Sequence, residues 1–234
     1  LEEALDVRWP WAGGISAPQG EKIVVKKTEG GWKPPFRIRS VRMGRDKDSV
    51  AWRERMRVAG GSGAGRPAYG LAFSDYWERF GYNKLHPEYF AMRADGKRMP
   101  MNVSDDTAYN IAASKDKPAR YISMCVSSEA FIDQVVADWK EKGAPNYINL
   151  CENDASGGNI CHCEECKKLD TGVPADAIAW WPNWYADRYI RFCHRVLEKA
   201  KKINPDVKAT TYAYNAMERP PVREKVTDDI VVGI

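Results

Sequence analysis

The chain has 234 residues and a formal net charge of +4, with 44% hydrophobic and 29% charged residues. That balance describes a globular protein with room for one large domain. No apolar run nears the roughly 18 residues that span a membrane, and no basic block marks a nucleic-acid surface.

In chain order, Leu1–Leu5 reads as the end of a helix, "VRWPWAG" as a turn, and "KIVVKK" (Lys22–Lys27) as a short strand. "EGGWKPP" has the glycines and prolines of a linker. The opening lacks the charged and apolar regions of a signal peptide. Together with an end inside the apolar "DDIVVGI", this reads as an excerpt of a longer protein.

"FRIRSVRM" (Phe36–Met43) alternates apolar and basic residues, as a strand does. "SVAWRERMRVAG" predicts a short helix ending at Gly60, and the Gly-rich run after it lacks the ending of a phosphate loop. "AYGLAF" (Ala68–Phe73) and "RYISMCVS" (Arg120–Ser127) are the next strands. "SSEAFIDQVVADWKEKG" is a helix with Ser127 or Ser128 as its N-cap and Gly143 past its end. "NYINLCEN" (Asn146–Asn153) is a strand. "PNWYADRYIRFCHRVLEKAKKINP" is a long helix with Tyr185, Tyr189, Phe192, Val196 and Ala200 on its inner stripe. "VKATTYAYNA" and "DDIVVGI" close the series as strands.

Strands that alternate with helices predict parallel βαβ units, hence the α/β class. No glycine fingerprint follows a strand, which disfavours a dinucleotide fold. Polar residues cluster where strands end, at Asp75, Ser127, Glu152–Asp154 and Tyr214–Asn215. That placement favours a (β/α) barrel, with about six of eight strands present.

Glu152 and Asp154 stand two apart at a strand's carboxyl end, which in an extended chain puts both on one face. Two close carboxylates push their pKa values apart, as an acid–base pair requires. The competing reading makes Asp154 a turn cap and Glu152 a solvated residue. Around them, Arg39, Asp75, His86, Asn153, Tyr214 and Asn215 are the substrate-binding candidates, each also explicable as structural.

Cys161, Cys163 and Cys166, with His162 between the first two, form C-H-C-x-x-C. Three thiolates with His162 or Cys151 as a fourth ligand would suit zinc. A disulfide within the group and simple buried thiols stay open beside it. In each case the cluster staples a long loop. The nine Trp and eleven Tyr are many for this length and suit either a core or a sugar-binding cleft.

Several blocks together, "LEEALDVRWPWAG", "PPFRIRS", "WRERMR", "HPEYFAMRADGKR", "RYISMCVSS" and "CENDASGGNICHCEECKKLD", resemble the domain-of-unknown-function family 4838. That glycoside-hydrolase-like family is allied to α-glucuronidases and includes endo-β-N-acetylglucosaminidases acting on complex N-glycans. The resemblance implies a (β/α)8 glycosidase-like barrel over residues 34–234, truncated here. Residues 1–33 would then be the tail of a small α/β domain. The family's Asn-Asp pair falls on Asn153 and Asp154. The expectation is therefore a hydrolase that cleaves a glycan containing N-acetylhexosamine or uronic acid. Glu152 and Asp154 would be its acid–base pair, no cofactor would enter catalysis, and the cysteines would hold a structural zinc or a disulfide. The partner would be an oligosaccharide, and the setting extracellular or periplasmic. The alternatives are a carbohydrate-binding protein without turnover and a zinc-stabilised interaction domain.

Overall fold

The computed structural model describes residues 6–19, 44–56, 58, 67–76, 81–98, 123–153, 160–172, 184–214 and 217–233. The chain divides into two compact units, Leu1–Arg66 and Pro67–Ile234.

In the first unit, Arg8 and Ser16 exchange both backbone hydrogen bonds across the turn after Trp11. Helix α1, Lys47–Arg55, starts at Asp46, whose carboxylate accepts from the Ser49 amide at 2.9 Å. It stops at Met56, short of the expected Gly60. The Trp52 indole donates to the Trp9 carbonyl and ties helix to turn. The expected helix at Leu1–Leu5 and strands at 22–27 and 36–43 lie outside the described residues, as does Arg39.

The second unit holds the α/β fold. Helices α2 (Tyr82–Leu85) and α3 (Glu129–Glu141) precede strand β1 (Tyr147–Asn149). The short α4 (Glu164–Lys167) and long α5 (Ala186–Ala200) lead to β2 (Lys208–Tyr212), and β3 (Ile230–Gly233) follows. The strands form one parallel sheet in the order β1-β2-β3, with Ile148 beside Ala209 and Ala209 beside Ile230. Parallel neighbours need a crossover, and α4 and α5 lie in the one between β1 and β2.

Both long helices form for the reasons their sequences give. Ser128 caps α3 by accepting from the Phe131 amide, and Gly143, at φ +89°, turns the chain where a side chain would be strained. Phe131, Val135 and Trp139 face inward from α3. Tyr189, Phe192, Val196 and Ala200 do so from α5, with Tyr185 half-buried. Phe131 and Phe192 stack at 5.7 Å between centroids, so the two helices meet through flat aromatic faces.

Two expected strands are something else. Residues 68–73 form no ladder, because Gly70 sits at φ +127° and neighbouring groups take up the backbone bonds. The Thr210 hydroxyl donates to the Ala68 carbonyl, the Asn149 amide to the Gly70 carbonyl, and the Ala72 amide to the Cys151 carbonyl. At 123–125 a single antiparallel bridge joins Met124 to Phe90. The expected strands at 146–153, 207–216 and 228–234 occur but run shorter.

Candidate functional site

Glu152 lies three residues past the end of β1 and is 3% exposed. Its Oε1 accepts from the Asn153 amide at 2.8 Å. Its Oε2 accepts from the Met124 amide at 3.3 Å and the Ser123 hydroxyl at 3.4 Å. The Tyr189 hydroxyl also bonds the carboxyl. Burial outweighs these donors and pushes the carboxyl up to about 7, so it holds its proton close to neutrality. The Tyr212 hydroxyl, at the end of β2, donates to the Glu152 carbonyl.

Asn153 is buried as well, and its Oδ1 accepts from the Phe73 amide at 3.3 Å. It therefore fixes the 68–73 segment against the end of β1. Tyr189, Ile190, Tyr212, Met217, Arg219 and Val232 line an apolar cleft at the carboxyl end of β2. Tyr189 thus stands between this cleft and the buried carboxyl.

The other expected residues scatter. Asp154 and Asn215 lie outside the described residues. Asp75 is exposed in the turn after Phe73. His86 is held locally, its Nδ1 3.0 Å from Glu88 and its ring stacked 4.6 Å from Tyr89. Tyr214 is half exposed and meets Tyr212 edge-on.

The cysteines converge. The sulfurs of Cys125, Cys161, Cys163 and Cys166 all lie within 4.8 Å of one another, a group able to hold a metal ion. The fourth member is Cys125, where His162 or Cys151 was expected. His162 instead donates its backbone amide to the Met92 carbonyl at 2.6 Å. Cys151 and Cys193 are buried elsewhere, and burial raises their thiols to about 11 and about 12. None of the six cysteines is in a disulfide. Within the group, Cys125 is pushed down by hydrogen bonds first from Cys161 and then from Cys166, and both of those are pushed up.

Two buried charges brace this loop and went unread in the sequence. Arg188 on α5 grips both Asp170 oxygens, at 2.8 and 2.6 Å, and donates to the Cys161 carbonyl at 2.7 Å. Its neighbour Asp187 accepts from the Thr171 hydroxyl and from the amides of Val222, Arg223 and Glu224. Burial works against its charge, but these donors hold it below the usual carboxylate range. The available signal was a charged pair at 187–188 abutting the inward-facing Tyr189.

The described residues thus define an α/β protein with a buried acid beyond a strand end and a metal-competent cysteine cluster beside it. The chain belongs to the family described as "Domain of unknown function (DUF4838)", whose sequence model matches residues 9–234. Comparison with curated proteins and with solved structures finds no match. Among the described residues, no helix is long and apolar enough to cross a membrane.

Proposed function

We propose that the chain is the sugar-cleaving part of a glycoside hydrolase with a (β/α)8 barrel, acting on a glycan that contains N-acetylhexosamine or uronic acid. One observation carries this reading: Glu152 is a carboxyl at a parallel strand's carboxyl end, where barrel enzymes keep their chemistry, and its pKa is raised to about 7. Glycoside cleavage requires one carboxyl that is still protonated near neutrality, to protonate the leaving oxygen. A second carboxylate activates water, attacks the sugar, or orients the substrate's own amide. Asp154 has that role in this reading. The apolar cleft walled by Tyr189 and Tyr212 suits a sugar face. No cofactor takes part at the reacting carbon, and a structural zinc in the cysteine cluster would serve the fold.

One observation favours a second reading. Both Glu152 oxygens are engaged by protein donors and the residue is 3% exposed, as in a buried acid that organises a binding site without turnover. The experiment that separates the two is turnover of the protein on N-glycans, aryl N-acetylglucosaminides and aryl glucuronides. Glu152→Gln and Asp154→Asn are the matched variants. Cleavage that falls by about 100-fold or more in either variant is the expected result. Glycan binding with no product from any substrate would establish the binding protein instead.

A further inference from the structure

We propose that Cys125, Cys161, Cys163 and Cys166 are the complete ligand set of a closed tetrathiolate zinc site. The proposal goes beyond the glycosidase reading and does not depend on it.

The first argument is spacing. Zinc–sulfur bonds of roughly 2.3 Å in a tetrahedron set sulfurs about 3.8 Å apart. The Cys125 and Cys163 sulfurs are 3.7 Å apart. A disulfide needs about 2.05 Å and pairs sulfurs two by two, whereas here four lie within 4.8 Å of one another.

The second argument is what surrounds the sulfurs. Cys163-x-x-Cys166 folds so that the Cys166 amide donates back to the Cys163 sulfur at 3.4 Å. The Met92 amide donates to the Cys161 sulfur at 3.2 Å. The Ser127 hydroxyl lies 3.5 Å from the sulfurs of Cys125 and Cys163 and 3.1 Å from that of Cys166. Arg98 donates to the Phe90 carbonyl at 2.8 Å and also reaches the Cys125 sulfur. Four thiolates around a divalent ion carry a net charge of −2. Amide donors and a guanidinium are the outer groups that offset it. Four thiols, three of them buried, packed only as small apolar groups would need none of these donors.

Four protein ligands leave no open position, so the ion would be structural. It would join the chain before α3 to the loop around α4, two segments separated by more than thirty residues.

The test starts with the metal content of the whole protein, purified without chelators, where one zinc per chain is expected. Exchange with Co²⁺ should give the charge-transfer bands of a tetrahedral tetrathiolate. Chelation followed by alkylation and peptide mapping should label Cys125, Cys161, Cys163 and Cys166 that the metal had protected. Cys125→Ser should weaken Co²⁺ binding by more than about 100-fold, while His162→Ala and Cys151→Ser leave it unchanged. Should Cys125→Ser fail to fold, the cobalt spectrum and protection map of the unaltered chain decide the matter. Disulfides among these four cysteines in metal-free protein would overturn the proposal. So would a His162→Ala loss with Cys125→Ser unaffected.

Discussion

A carboxyl sealed from water resists ionising, and Glu152 shows what its neighbours can and cannot offset. Three protein donors and the Tyr189 hydroxyl favour its charge, yet burial wins and its pKa rises from 4.5 to about 7. Between those two pH values the folded chain holds a proton that the unfolded chain has released. Stability is therefore fully present below about pH 4.5, falls as pH rises toward 7, and levels off above it. The loss is on the order of 3 kcal/mol. Glu152→Gln keeps the shape and cannot ionise, so its melting temperature should lack this component. Parallel melts of both proteins between pH 4.5 and 8 check it, and coinciding pH profiles would refute the shift. Glu152 was legible in the sequence because a strand pattern ends on it. Cys125 was not, since it stands far from the C-x-C-x-x-C run and the strand-like "RYISMCVS" gave its sulfur no partner.

At the scale of elements, the 3.6-residue stripes of α3 and α5 were readable because each helix buries one face against the other. The strands were overextended in the reading. Their apolar patterns continue past the ladder into segments such as 151–153, where side chains and loops take up the backbone bonds. The 68–73 run failed as a strand for that reason. Only Phe73 of the run is fully buried, while Thr210, Asn149 and Asn153 supply the partners that a neighbouring strand would. The link between α5 and the cysteine loop went unread too, because it rests on a buried guanidinium, a group that sequence patterns expect at the surface. Arg188→Ala would leave Asp170 and the Cys161 carbonyl without their shared donor. The expected cost is about 3–5 kcal/mol, the range for breaking a buried pair by removing one partner. Denaturant unfolding of Arg188→Ala, Asp170→Ala and the double variant measures it. The double variant should cost less than the sum of the two single changes.

For the whole molecule, the parallel pairing of β1 with β2 was readable from the alternation of helix and strand patterns, while the cluster of sulfurs beside it depended on contacts across the fold. The two meet at residues 123–125. Ser123 and Met124 donate to Glu152, and the next residue, Cys125, joins the cysteine cluster. A zinc ion in that cluster, as proposed above, would therefore hold the segment that faces the buried acid, and its removal should be felt in both stability and pH response. An ion present at a thousand times its dissociation constant adds about 4 kcal/mol. For a chain of this size that corresponds to a melting temperature higher by about 8–16 °C. Chelator-treated protein should melt lower by that amount and recover on adding Zn²⁺. Its melting temperature should also follow pH less steeply between 4.5 and 7, because a loosened 123–125 segment lets water reach Glu152 and returns its pKa toward 4.5. A chelated protein with an unchanged melting temperature would remove the metal from the fold's stability. One that melts lower but keeps the full pH slope would separate the metal from Glu152.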